Sequence, residues 1–508
     1  MIEYWGEGAR QGARVNDGRG ASALRRMRSR LACVAIMAAF VPCAAQAQRA
    51  ITLRDAIDLA QRHGLQARAA ASARDASRRR DQAFTSRRLP QLSLTGDLPS
   101  YNRAIIPVLQ PDGSTEFRAQ RQTDASLNLL MSQRLPFTGG SLFVSSELSR
   151  LEVRGQRDLR NWSSTPLALG IQQDILRPNA FKWDGREQEL RAERAERQYL
   201  EAREDVAIAA TQAFFDLYTA RLGLENETRN AAVNDTLYTL NKGRFEVGKI
   251  GENDLLQSEL ALLRARTSVD GARLTYDRAM AAFRLAINAG ADTPVDIAVT
   301  DEIPELVADT ALAVEQALRN RSQAFDLQLQ EVQARRRITE ARLTNGIGAT
   351  LRATVGLNQT AGDVNAAYRD LLNQQRFSLA LSMPIVQWGA RSNDIQAARA
   401  DQERTAATGR LAREQLIQEA HFAALQLSQS RRQLALSAKA DTVAAKRFEV
   451  AYNRYVIGKI DMDNLYFAQN EKNQALTQYL QSLRGYWVAY YGLRRTTLYD
   501  FVTGTVIR

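Results

Sequence analysis

Cysteine, histidine and proline are scarce in this chain. Its 508 residues hold two cysteines, two histidines and eleven prolines. So few thiols and imidazoles leave little for a zinc or iron–sulfur centre and exclude a disulfide-rich scaffold. Long apolar runs are also missing. Apart from the stretch near residue 31, none approaches the roughly 18 to 20 residues of a spanning helix. That excludes a polytopic inner-membrane protein. Catalytic signatures are missing too: there is no phosphate-cradling glycine loop, no nucleophile elbow and no His-Glu pair for metal chemistry. His63 and His421 fall on helical stretches with no cysteine nearby. Asp461-Met462-Asp463-Asn464 opens like a calcium loop but lacks the glycine and distal glutamate such a loop needs. The expectation is no catalytic residue, no metal and no cofactor.

What is present is a globular composition, 45% hydrophobic and 24% charged. Sixty-eight Lys+Arg against 56 Asp+Glu give a net charge of +12, too dispersed to suggest nucleic acid. Arg25, Arg26, Arg28 and Arg30 precede an apolar run from Leu31 to Ala45, followed by Ala45-Gln46-Ala47. This pattern predicts a secretory signal peptide over 1–47, with Met27 a plausible start. Both cysteines, Cys33 and Cys43, lie inside it, and its removal leaves a charge of +8. Phe40-Val41-Pro42 is a poor lead-in for lipidation at Cys43.

The rest reads as two copies of one plan. Arg244-Phe245-Glu246-Val247-Gly248-Lys249-Ile250 returns 210 residues later as Arg454-Tyr455-Val456-Ile457-Gly458-Lys459-Ile460. Leu255 then matches Leu465, Tyr276 matches Tyr486, and Ala279 matches Ala489. Near the starts, Ala56, Ile57 and Ala60 match Ala313, Val314 and Ala317. Proline is absent between Pro178 and Pro294 and after Pro384. A helix interior excludes proline, and both stretches are rich in good helix formers. They predict two long antiparallel helical hairpins, 185–288 and 393–493, turning at Gly248 and Gly458. The first arm would reach about 85 Å.

Shorter helices open each half, at 53–87 and 310–343. Between helices the pattern changes to period two. Leu92 and Leu94, Leu127 and Leu129, Leu167, Leu169 and Ile171 alternate with small or polar residues, within 91–175. Leu351, Ala353, Val355 and Leu357, then Phe377, Leu379 and Leu381, do so within 349–385. The halves are thus 48–290 and 310–508, joined by a linker over 291–309. Four to six strands cannot close a membrane barrel alone, and lipid does not tolerate an open edge. Either the sheet stands in water, or several copies pool their strands.

A signal peptide, then twice a helix, strands and a long helical hairpin with Phe-x-x-Gly or Tyr-x-x-Gly at its turn, resembles the TolC family of outer-membrane efflux proteins. Leu381-Ser382-Met383-Pro384-Ile385 running into Trp388-Gly389 resembles that family's exit from barrel to helix. The resemblance covers essentially all of 48–508. It implies a mainly α fold with membrane β: a homotrimer sharing a β-barrel in outer-membrane lipid, above a periplasmic α-barrel of coiled helices. It also implies a periplasmic adaptor (membrane fusion) protein, an inner-membrane pump and a passive, gated exit duct. Leu127, Leu129, Leu167, Leu169, Phe377 and Leu379 would face lipid. Gly248, Lys249, Asp254, Gly458 and Lys459 would form the tip that docks the adaptor. Tyr455, Asp461 and Asp463 would form the pore gate. The family has an Asp six positions after the turn glycine; Asp254 fits, but Asn464 holds the second such position.

The family has two strands per half, whereas this chain adds Ala125–Gln133, a turn over 135–140, and Ser141–Leu151. These are either a surface hairpin or two further membrane strands. Two other readings remain open. A periplasmic coiled-coil adaptor or scaffold predicts one hairpin, a lipoyl-like β domain and a membrane anchor. An enzyme with a helical domain needs site chemistry that the sequence lacks.

Overall fold

The computed structural model describes residues 50–154, 158–290, 294–299, 306 and 308–508. The expected signal peptide and much of the expected linker lie outside the described residues. The chain opens with α1 (Leu53–His63) and α2 (Leu65–Ser86), followed by β1 (Gln91–Leu109), β2 (Thr115–Arg134), β3 (Ser141–Arg154) and β4 (Leu159–Ile175). A helical hairpin follows, α3 (Ala180–Glu246) and α4 (Glu252–Ile287). The plan then returns: α5 (Thr310–Asn320), α6 (Ser322–Thr344), β5 (Gly348–Ala361), β6 (Leu372–Ser382), α7 (Ala390–Val456) and α8 (Met462–Thr497). A short pair, β7 (Tyr499–Asp500) and β8 (Thr505–Val506), closes the chain.

Both long arms, α3 and α7, have 67 residues, and both return arms, α4 and α8, have 36. At 1.5 Å per residue the long arms reach about 100 Å, longer than the sequence suggests. Two glycines mislead there. Gly185 and Gly243 read as boundaries, yet α3 runs through both. Its start is set by Asn179, whose side chain accepts from the Lys182 amide at 3.0 Å.

The opening helices are each broken, where one continuous helix is expected. Gly64 parts α1 from α2 with extended backbone. A Cβ there would stand 2.3 Å from the Ala60 carbonyl oxygen and 3.3 Å from that of Ala286, so no side chain fits. At the matching break Arg321 has the same extended backbone. Its guanidinium is buried between Glu201 at 3.2 Å and Glu419 at 3.1 Å. A half-buried arginine, Arg494 of α8, holds buried Glu204 of α3 at 3.1 Å and Asp500 at 2.9 Å. Around these pairs lies the main core. Phe214, Phe215 and Phe283 pack edge to face there, with Tyr486 and Leu483 from α8 and Ala56 and Ala60 from α1.

The first six strands form one antiparallel sheet in chain order, β1 to β6. Residues 125–151 are therefore no decoration. They form most of the β2–β3 hairpin, turn included, between β1 and β4. Strand lengths of 11 to 20 residues reach or exceed the ~9 to 11 that cross a bilayer. The turn over 135–140 sits where the helices meet the sheet. The Asn179 amide donates to the Pro136 carbonyl at 2.9 Å, and the Gln173 amide to that of Thr138 at 3.0 Å. Within one chain the sheet is open, with β1 and β6 as its edges.

Candidate functional site

Strand register sorts the sheet into two faces. Leu92, Met131, Val144, Leu169 and Val355 lie in one lateral row, and Leu142, Ile171, Ala353 and Phe377 in the next. Leu127, Leu129, Leu167 and Leu379 share this face by the same pairing. The six leucine and phenylalanine residues expected to face lipid are therefore on one side, between 37% and 71% exposed. The opposite side is mostly polar or small, with Leu130 and Phe143 among the exceptions. Asn128 pairs with Glu147, Ser145 with Ala168, and Gln172 with Arg352. A sheet apolar on one face and polar on the other suits a wall between lipid and water.

At the far end of the helices the two hairpin turns share one geometry. Gly248 has φ +69° and Gly458 φ +74°, in the left-handed region where glycine is unstrained. The Lys249 amide reaches back to the Arg244 carbonyl at 2.8 Å, and the Lys459 amide to that of Arg454 at 2.9 Å. The glycine amides close the inner bond, to Phe245 at 2.8 Å and Tyr455 at 2.9 Å. Both ends are Schellman caps. Gly248, Lys249, Asp254, Gly458 and Lys459 are all exposed, and Val247 and Ile457 beside them are apolar and exposed.

The three residues expected at a gate have different surroundings. Tyr455 is buried, and its hydroxyl donates to Asn241 Oδ1 of α3 at 2.9 Å. The Arg244 guanidinium lies 5.3 Å from the Tyr455 ring and donates to the Val456 carbonyl at 3.2 Å. Leu237, Met462 and Leu465 pack around the ring. Burial pushes the hydroxyl of nearby Tyr466 well above its usual range, and the Tyr455 hydroxyl adds to it. Asp463 is exposed and accepts from Gln257 of α4 at 2.9 Å. Asp461 caps α8: its carboxylate accepts from the Asn464 amide at 2.9 Å and from the Asn464 side chain at 2.7 Å. Part of its acceptor capacity thus serves the helix end.

Sequence reasoning gave Asn241 no role, although it is one of the residues that tie the two hairpins together. A signal was present. Asn226, Asn230, Asn234 and Asn241 share one face of α3, and Asn230, Asn234 and Asn241 are buried. Asn226 and Asn230 both donate to Asn473 Oδ1 of α8, at 2.9 and 3.5 Å. A helix-spaced asparagine row inside a long coil marks a polar seam, and such a row is visible without coordinates.

No protein-family model matches the chain, and no curated protein matches it. Solved structures do. The CmeC outer membrane channel of Campylobacter jejuni superposes with a TM-score of 0.64 at 15% identity, over 90% of this chain and 86% of that one. The chain has the TolC-like outer-membrane channel fold. The outer membrane protein VceC of Vibrio cholerae gives 0.62 at 12% identity, over 90% and 97%. The open state of the MtrE outer membrane channel of Neisseria gonorrhoeae gives 0.60 at 14%, over 90% and 89%. In this channel fold the sheet faces and the hairpin tips stand at opposite ends of arms about 100 Å long. Tyr455 and Asn241 link the second hairpin to the first just above the tips.

Proposed function

We propose that the chain is one subunit of a trimeric exit duct in the outer membrane of a Gram-negative bacterium, with most of its length in the periplasm. The observation that carries this reading is the open six-stranded sheet, apolar on one face, set at one end of two long helical hairpins. Its edges need partners, because lipid offers backbone groups nothing to bond. Three copies close an eighteen-stranded barrel, an even number within the range of such barrels. The polar face then lines water, and Leu127, Leu129, Leu167, Leu169, Phe377 and Leu379 meet lipid.

In this reading the duct is passive. A pump in the inner membrane supplies energy, and a periplasmic adaptor docks on the exposed tips at Gly248, Lys249, Asp254, Gly458 and Lys459. Val247 and Ile457 give that contact apolar area. The Tyr455–Asn241 link keeps the second hairpin against the first. Asp461 and Asp463, repeated by symmetry, ring the mouth with negative charge. The rival adaptor reading predicts one hairpin and a lipoyl-like β domain; two hairpins and a six-stranded sheet favour the duct.

Cross-linking of detergent-extracted outer-membrane material should stop at three subunits, and the trimer should migrate faster before heating than after. A monodisperse, water-soluble monomer would sink the proposal.

A further inference from the structure

A charged row interrupts the outward sheet face far from the helices, at the level where β3 ends and past which β1 and β2 continue with Ile105 and Phe117. There Arg103 of β1 pairs with Arg121 of β2, and Arg121 pairs in turn with Arg154 of β3. Three arginines therefore stand side by side in one lateral row. Residues directly opposite across antiparallel strands lie about 5 Å apart, and like charges so placed repel. Arg150 and Arg160 fall on the same face in the neighbouring rows, opposite Trp162 and Glu152. One carboxylate in register, Glu152, serves this group. It holds Arg154 at 2.6 Å and also contacts Arg150. Asp158 stands in the adjoining loop. Arg103 and Arg121 are exposed and make no ion pair or side-chain hydrogen bond among the described residues.

The height of the row is informative. From Gln133, beside the helices, to Arg121 is about twelve residues of strand. At ~3.4 Å per residue and a tilt of about 40°, that is roughly 31 Å along the barrel axis. The hydrocarbon core of a bilayer is about 30 Å thick. Below the row the outward face is apolar, through Met131, Leu129 and Leu127. Near it stand Tyr101, opposite Thr123, and Trp162, whose ring lies 5.5 Å from the Arg150 guanidinium. Amphipathic aromatics mark the headgroup level. The repulsive row thus sits where lipid headgroups begin, and its unpaired charge needs an anion supplied from outside the chain.

We infer that Arg103, Arg121 and Arg154, flanked by Arg150 and Arg160, form a binding site for phosphate groups on lipids of the outer leaflet. The inference rests on the membrane reading above. A guanidinium fork matches phosphate geometry bidentately, and a row of forks suits a headgroup with more than one phosphate. A bound phosphate removes the repulsion along the row, so lipid binding and barrel stability are linked.

The test uses the full chain, purified as the detergent-solubilised assembly and titrated with diphosphoryl lipid A, monophosphoryl lipid A or phosphatidylcholine. Bound lipid is read by native mass spectrometry. Diphosphoryl lipid A should bind at least tenfold tighter than phosphatidylcholine, with the monophosphoryl form between them. Arg103→Gln, Arg121→Gln and Arg154→Gln together should remove that preference. Arg121→Gln alone, at the centre of the row, should weaken it several-fold, and covers the case in which the triple variant does not assemble. Millimolar inorganic phosphate should not displace the lipid. Wild-type preference in Arg121→Gln and the triple variant would overturn the inference, as would full displacement by inorganic phosphate. If wild type assembles in the outer membrane yet shows no preference for phosphate-bearing lipid, this inference alone falls. If the chain is water-soluble, the membrane reading falls with it.

Discussion

Tyr455→Phe isolates one atom of the link between the hairpins. Phenylalanine keeps the ring, its packing against Leu237 and Met462, and its place beside the Arg244 guanidinium. Only the hydroxyl that donates to Asn241 Oδ1 at 2.9 Å is lost. Asn241 is 1% exposed, so the abandoned oxygen cannot turn to water. Leaving a buried acceptor unpaired costs about 1–3 kcal/mol. At about 1.4 kcal/mol, in the lower half of that range, the closed arrangement loses about tenfold in each subunit. If three subunits open together the closed-to-open ratio falls by about a thousandfold, since the three costs add. The assay is single-channel current in a planar bilayer. Tyr455→Phe and Asn241→Ala should both raise the fraction of time open, and the double variant should add little to either. An open fraction in Tyr455→Phe equal to wild type would refute the reasoning and place the closing contact elsewhere.

Three other outcomes follow from the same structure. Arg494→Met strands Glu204 and Asp500, which it holds at 3.1 and 2.9 Å; the loss should be about 3–5 kcal/mol, read as an earlier thermal loss of helical circular dichroism, and Glu204→Gln added to it should recover part of that loss. Leu127→Arg and Leu129→Arg each put a charge on the outward face at a cost of about 2–4 kcal/mol near the bilayer midplane; trimer yield in outer-membrane fractions should fall, and a wild-type yield would put this face in water. Asp461→Asn with Asp463→Asn removes two charges while asparagine can still cap α8; at low salt, where screening is least, block by a trivalent cation from the periplasmic side should weaken, and unchanged block would make both residues a solvated surface.

The order of elements was legible because two signals agree over long stretches. Proline-free runs of helix formers cannot be anything but helix when they exceed a hundred residues, and Leu351 to Leu357 alternate too cleanly for anything but strand. The breaks at Gly64 and Arg321 were not legible, because helical periodicity continues across both. At Gly64 any side chain would run into the Ala60 and Ala286 carbonyls, the second more than two hundred residues away. The far half of β1 was also missed: the irregularity between Asp97 and Ser100 shifts the register, so the alternation of Leu92 and Leu94 falls out of phase by Tyr101. At the tip, the turn glycines follow from backbone preference and could be read directly. Tyr455 could be placed from the repeated motif, but its partner could not. Asn241 belongs to a helix-spaced asparagine row that can be read from the sequence, but which residue it meets emerges only when the end of α7 is laid against α3. Asp461, expected at a pore gate, also caps the start of α8, a role that shows only once the helix boundary is known.

The added hairpin has a consequence for the bore. Six strands at about 4.8 Å spacing, tilted by about 40°, occupy roughly 38 Å of circumference per chain. Four helices, α2, α3, α6 and α7, meet the sheet side by side in that order, since α2 leads into β1, β4 into α3, α6 into β5 and β6 into α7. At about 9 Å between axes they occupy roughly 36 Å. Four strands would span only about 25 Å, and the wall would have to pinch inward at the membrane. In the proposed trimer, with β2 and β3 inserted, barrel and helical tunnel would have nearly the same girth. A solute that fits the helical shaft should therefore meet no narrowing of the backbone wall as it passes into the barrel.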